Sequence, residues 1–319
     1  MICKTDRVQK VGRCDVICTV TLNAGIDLIV RLDSFEEGGL NRTMYERTYA
    51  GGKGLNVSTV LANLGVESRA LGFVAGFTGA EIERQMAERK IACDFVRLPE
   101  GFSRINVKMK VGREETEING MGPCISEETQ EKFFQKLDAL QAGDTLVLAG
   151  SIPSTMPRDT YEQILKRLQA RDVCIVVDAA KELLRNVLRY RPFLIKPNHH
   201  ELGELFGVTV SSDAEIKDYA QRLQQEGARN VMVSMAGDGA FLLTEEGRTY
   251  RLPAPKGKVK NSVGAGDSMV AGFLAGMVRY GGDMEKAFRL AVAAGSASAF
   301  SDGLATAEKV TELLKDKKN

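Results

Sequence analysis

The sequence predicts an α/β fold: a mainly parallel sheet covered by helices on both faces, with a small β appendage. Three observations point to it. Short β-branched runs alternate with longer segments of helical periodicity, several of those segments open on helix-capping signals, and two stretches break the rhythm with strand-like alternation.

The strand runs are VICTVTL at 16–22, TLVLA at 145–149, VCIVV at 173–177, FLIK at 193–196 and NVMVS at 230–234. Between them, Ser126 precedes Glu127 and Glu128, and SDAE at 212–215 has the spacing of a capping box before a helix that stops near Gly227. A strand–helix–strand succession of this kind builds a parallel sheet, and in such sheets ligands gather beyond the carboxyl ends of the strands. The exceptions are SRINVKMKV at 103–111 and the region 26–50. In the first, Ile105, Val107, Met109 and Val111 alternate with Arg104, Asn106, Lys108 and Lys110, so one face is apolar and the other basic. EETEING follows and is positioned to pair with it. Lid strands are therefore expected within about 26–50 and 101–122, with their basic face turned toward a ligand.

Composition narrows the function. The 319-residue chain has 43 Lys and Arg against 42 Asp and Glu, a formal charge of +1, which gives no global attraction for nucleic acid or an acidic membrane. Anion binding therefore has to be local. The six cysteines form no CxxC pair and the two histidines are adjacent, so a Cys/His zinc site is not expected. Residues 1–15 are polar and are expected to be a loose extension, with one domain over 16–319. No segment approaches a membrane span, and the expectation is a soluble, cytoplasmic protein with reduced thiols.

Two glycine clusters hold the candidate chemistry. In NSVGAGD, at 261–267, glycines let the backbone turn sharply and gather its N–H groups at the start of an apolar helix, whose positive end reinforces the same spot. Gly264, Ala265 and Gly266 would form an anion hole. Asp267, favoured there as a carboxylate by the helix dipole, would take a proton from a hydroxyl. A plain helix cap accounts for the same residues. In AGGKGLNVS, at 50–58, Lys53 and Asn56 stand at a second helix entrance, where a glycine turn with a solvated lysine is the alternative. Asp27 follows the first strand and suits a pair of sugar hydroxyls. In KPNHHE, Asn198 and Glu201 lie three apart, a spacing that suits water-mediated Mg²⁺ binding or, equally, a helix cap. The phosphate loop GxxxxGK[ST], the dinucleotide fingerprint GxGxxG after the first strand, and the GxSxG elbow are absent.

Taken together and in this order, AGGKGLNVS, GSIP at 150–153, KPNHHEL and NSVGAGDSMVAGF resemble the ribokinase-like PfkB family of sugar kinases over roughly 16–314. The resemblance implies a three-layer α/β/α sandwich with a β lid, use of ATP and Mg²⁺, and Asp267 as the base. It further implies sugar contacts at Asp27, Gly52, Asn56, Arg104, Asn106 and Ser151. Nucleotide contacts would fall at Lys196, Asn198, Ser234, Gly237 and Gly239 with Gly264 and Gly266, and the metal near Asn198 and Glu201. GGKG, SRINVKMK and EETEINGMGP are similar to the members that act on phosphorylated ketohexoses, with fructose 1-phosphate as the first expected acceptor and tagatose 6-phosphate as the second. Lys53, Arg104 and Arg42 would serve the sugar phosphate, Arg42 across a homodimer formed through the lid. A non-catalytic sugar-phosphate sensor is the alternative of another class. Three departures from the family pattern stand out: no proline follows Asn23, Ala236 replaces a glycine in SMAGDG, and DAAKE at 178–182 lacks one.

Overall fold

The computed structural model describes residues 16–112 and 114–315; the extension expected at 1–15 lies outside them. In chain order the elements are β1 (Ile17–Thr21), β2 (Gly25–Leu32), β3 (Tyr45–Gly51), α1 (Lys53–Asn63), β4 (Arg69–Ala75), α2 (Gly76–Glu88), β5 (Ala92–Cys93), β6 (Val96–Leu98), β7 (Arg104–Val111) and β8 (Glu114–Asn119). Then come α3 (Glu127–Leu137), β9 (Thr145–Ala149), α4 (Thr160–Leu168), β10 (Cys174–Asp178), α5 (Lys181–Val187), β11 (Leu194–Ile195), α6 (His199–Phe206), α7 (Asp213–Glu226) and β12 (Asn230–Ser234). The chain continues with β13 (Ala240–Leu243), β14 (Thr249–Leu252), α8 (Ala265–Arg279), α9 (Met284–Ala299) and α10 (Ala307–Lys315).

The large sheet runs β14-β13-β12-β11-β10-β9-β1-β4-β5, with β6 also on β4. It is parallel from β5 to β12 and antiparallel only at β13 and β14. Alternation along each strand divides the core in two. Cys18, Val20, Leu146, Leu148, Ile175, Val177, Val231 and Val233 face one layer, packed with residues of α3 to α7. Ile17, Val147, Ala149, Val176, Leu194 and Met232 face the other, with α1, α8, α9 and α10. The strand order reverses at β1, which opens a crevice beyond the carboxyl ends of the strands.

The expected appendage is a second sheet, ordered β3-β2-β7-β8. EETEIN pairs antiparallel with β7 as its sequence suggests, Val107 opposite Ile118 and Lys108 opposite Glu117. One expectation is corrected here. Asp27 does not lie in a loop after the first strand but inside β2, in register with Asn106 on one side and Tyr49 on the other. Strand pairing on both sides therefore holds it.

Helix α8 is buried along Asp267–Met277 because it threads between α1 and α9. Close approach to α9 demands small residues: a Cβ at Gly276 would stand 2.4 Å from Ala287 Cα. Gly276→Ala should accordingly destabilise the protein by about 2 kcal/mol, overpacking outweighing the gain in helix propensity. Urea unfolding followed by circular dichroism would register it as a lower midpoint at unchanged slope.

Candidate functional site

Helices α1 and α8 begin side by side at the crevice. Gly264 caps α8 in the left-handed region at φ 76°, a conformation that glycine adopts without steric cost. Asn56, in the first turn of α1, donates from Nδ2 to Asp267 Oδ2 at 2.8 Å and ties the two helix starts together. Both helices thus aim their positive ends into one cavity.

That cavity, about 380 Å³, is lined by Asp27, Gly52, Lys53, Asn56, Arg104, Asn106, Lys108, Asp178, Lys196, Asn198, Glu201, Ser234, Gly264, Gly266 and Asp267, with Val263 at its edge. Most of the residues singled out from sequence are therefore gathered at one place from separate elements. Ser151 opens on a neighbouring cavity of about 580 Å³ that shares Lys53. Gly237 and Gly239 lie in the turn after β12, outside the lining of the shared cavity, and Arg42 is exposed in the loop between β2 and β3. Ala236 in that turn adopts φ 46°, the positive value expected of a glycine position, at a cost of about 1–2 kcal/mol for a residue with a Cβ. Lys181, in DAAKE, likewise sits at φ 55°.

Sequence reasoning missed one group and undervalued another. Asp178, the last residue of β10, is 1% exposed and accepts from Lys53 Nζ at 3.2 Å, with Lys196 Nζ 3.4 Å from the same Oδ1. The signal was an acidic residue ending a buried apolar strand at the ligand end of the sheet. Lys108 was placed on the basic face of the lid but given no role. It is 9% exposed, with its Nζ 3.3 Å from Glu117 and 3.8 Å from Asp27. Lys110 pairs with Glu115 at 3.2 Å. The lid's inner face is therefore not a bare basic surface, because β8 supplies carboxylates opposite its lysines.

At the lid end, Asn106 donates to Asp27 Oδ1 at 2.8 Å, and its own buried Oδ1 has no partner. Arg104 donates from Nε to the Asn23 carbonyl at 3.0 Å. Burial lowers its pKa, which the charge of Asp27 opposes. At the other end, Asn198 and Glu201 cap α6 reciprocally, each side chain accepting from the other's backbone amide at 2.8 Å. Glu201 engages only one carboxylate oxygen in this way, and the residue lines the cavity. No group of three or more His, Cys, Asp or Glu able to enclose a metal occurs among the described residues. The donor set fits a magnesium ion brought in on phosphate oxygens with its waters, not an all-protein cage.

The two buried carboxylates are pushed in opposite directions. Burial raises the pKa of Asp178, but Lys196 and Lys53 outweigh it and hold the group below the usual carboxylate range. Asp267, 5% exposed, is pushed up to about 6, first by burial and then by the charge of Asp178, against the pull of Lys53, Asn56 and Lys196. Burial and Asp178 thus raise the proton affinity of Asp267, although it stands in the first turn of α8, where the helix dipole favours the ionised form. Within the GAGD turn, the Ala265 amide donates to the Ser262 carbonyl at 3.2 Å and so is already engaged, unlike the arrangement expected for a three-amide hole.

The chain matches the model of the pfkB family of carbohydrate kinases over residues 15–310. It is 50% identical to a 1-phosphofructokinase of Bacillus subtilis over 95% of this chain and 99% of that one. It is 38% identical to a D-tagatose-1-phosphate kinase of Bacillus licheniformis, covering 93% and 97% of the two chains. Among solved structures, phosphofructokinase-2 from Escherichia coli in complex with substrates and products superposes with a TM-score of 0.89 at 24% identity, over 95% of this chain and all (100%) of that one, and shares the fold. No described helix is long and apolar enough to cross a membrane.

The pKa of Asp267 has a consequence for stability. A carboxyl whose folded value is raised stabilises the fold below its unfolded value, near 3.9, and that contribution is lost as pH rises through about 6. At pH 7.5 the ionised group is a cost, so Asp267→Asn should raise the unfolding free energy by up to about 3 kcal/mol. The gain should vanish near pH 4, as read by thermal unfolding at the two pH values.

Proposed function

Because the chain belongs to the pfkB family of carbohydrate kinases, we propose that it transfers the terminal phosphoryl group of ATP to a ketohexose phosphate, converting fructose 1-phosphate to fructose 1,6-bisphosphate. The observation that supports this most is Asp267: a buried carboxylate with raised proton affinity, at a glycine-entered helix start, facing a cavity lined by lysines and hydroxyl-binding groups.

In this reading Asp27 and Asn106 grip sugar hydroxyls at the lid end, the orphan Asn106 Oδ1 accepting from one of them. Gly52 and Asn56 line the path to the base. Arg104, whose guanidinium bonds no carboxylate among the described residues, and Ser151 take the substrate's existing phosphate. The acceptor hydroxyl attacks the γ-phosphorus of ATP as the bond to the β–γ bridging oxygen breaks. Its proton passes to Asp267, which Asn56 orients. The amides of Gly264 and Gly266 and the ammonium of Lys53 face the charge that spreads over the transferring oxygens. Lys196, Asn198 and Ser234, with the turn holding Gly237 and Gly239, lie where the nucleotide would be held. Asn198 and Glu201 would hold the waters of magnesium, which when bound neutralises phosphate oxygens.

A homodimer through the lid belongs to the same reading. Leu28, Val107 and Ile118 form one cross-strand row and Val30 with Met109 the next, on the face opposite Asp27. Phe35, Leu40 and Met44 are exposed in the adjoining loop, which also holds Arg42. Sedimentation equilibrium should give a dimer, and Ile118→Lys should shift it toward monomer; a monomeric parent protein would end this part of the reading.

The activity is tested by ADP release with fructose 1-phosphate, tagatose 1-phosphate, tagatose 6-phosphate, fructose 6-phosphate and ribose as acceptors. The expected order puts fructose 1-phosphate first in kcat/KM, and a preference for ribose would refute the role given to Arg104 and Ser151. Asp267→Asn should lower kcat by about 10² to 10⁴. The pH profile of kcat/KM should show an acid limb near 6, activity falling as protons occupy the base.

A further inference from the structure

Asp178 is the deepest charged group of the cavity, and nothing in the reaction as described uses it. It ends β10, Lys196 follows the end of β11, and Lys53 opens α1, so the three side chains reach one point from three elements. Both ammonium groups approach the same oxygen, Oδ1, while Oδ2 is buried without a partner. An ion pair divided between two oxygens would hold the cations apart; convergence on one oxygen holds them together. Lys196 is enclosed, with 5% of its side chain exposed, whereas Lys53 has 41% exposed and faces both neighbouring cavities. Two like charges this close repel strongly in a partly desolvated site, so a carboxylate between them is what permits the arrangement. Summed over the three groups, one positive charge is left at the cavity floor.

We propose that Asp178 is a positioning residue for phosphoryl transfer, holding the ammonium groups of Lys53 and Lys196 together as a two-cation seat for the transferring phosphoryl group. The seat is built before any ligand arrives, which is the condition under which fixed charges stabilise a transition state without reorganisation. Both lysines are engaged at Asp178, while Asp267 accepts from Asn56 instead. The charged groups around Asp267 are Asp178 from β10, Lys53 from α1 and Lys196 after β11; those around Lys53 include Glu201 from α6 as well. Asp178 is thus the one carboxylate that both opposes the ionisation of Asp267 and anchors the two cations that favour it. The inference rests on the reading of Asp267 as the base.

The experiment compares the full-length parent with Asp178→Asn, Lys53→Met and the double variant, alongside Asp267→Asn, all assayed with ATP and fructose 1-phosphate across pH 5 to 9. Asp178→Asn keeps the shape but removes the charge, and is expected to lower kcat by about 10² to 10³, with KM for the sugar phosphate changing by less than about threefold, as for loss of a group acting chiefly in the transition state. In the Lys53→Met background the same change should cost at least about tenfold less, because the seat is already broken. The acid limb of kcat/KM in Asp178→Asn should move away from that of the parent, a readout that a merely structural aspartate would leave in place. Additive losses in the double variant would overturn the proposal, as would a kcat within twofold of the parent or an unmoved acid limb. Should Asp178→Asn fold poorly, the Lys53→Met and Lys196→Met pair gives the same cycle: independent, additive losses would refute a shared seat. Failure of the base reading is seen separately, as unaltered activity in Asp267→Asn.

Discussion

Two carboxylates share one cavity, Asp178 at 1% and Asp267 at 5% exposure, and much of the surrounding structure exists to make that tolerable. A buried charge without a partner costs several kcal/mol. The two are treated differently. Asp178 has two lysines converging on one oxygen and stays ionised, whereas Asp267 has one amide hydrogen bond and the start of a helix and holds its proton more firmly. Unequal environments for neighbouring titratable groups are how acid and base roles are separated near neutral pH.

That asymmetry depends on the sheet. Parallel strands bring β10, β11 and β12 to a common end, so Asp178, Lys196 and Ser234 emerge beside one another without any loop having to be long or unusual. Helices α1 and α8 then deliver Lys53, Asn56 and Asp267 from the opposite layer. The price in sequence is paid in small residues, because α8 can reach the crevice only by lying almost in contact with α9, and its glycines allow that approach.

The lid follows a different logic. Its inner face offers hydroxyl-binding groups and cations, but each lysine is matched by a carboxylate from β8, so the surface is polar without being strongly positive. Its other face is apolar near the root, where Ile26 and Ile105 pack toward α2, and the same row continues outward past the body of the domain. One two-sided sheet therefore turns its polar face to the cavity while presenting an apolar exterior.

The β-branched strand runs, the alternation of 103–111, the capping box of α7, the cap of α6 and the glycine-led starts of α1 and α8 are local physics, and each was legible in the residues alone. So was the gathering of Lys53, Asn56, Asn198 and Asp267, since in a parallel sheet the helix-facing ends of strands meet at one edge. The placement of Asp27 within a lid strand, the neutralisation of Lys108 and Lys110 and the role open to Asp178 were not. These are decided by which strand lies next to which, by pairings such as Asn106 with Asp27 that span 79 residues of chain. Likewise, the dipole argument for Asp267 followed from its position in a helix, but the burial and the β10 carboxylate that raise its proton affinity come from the fold. Local rules reach a few residues; desolvation and charge act across space, and only the folded chain says what is near.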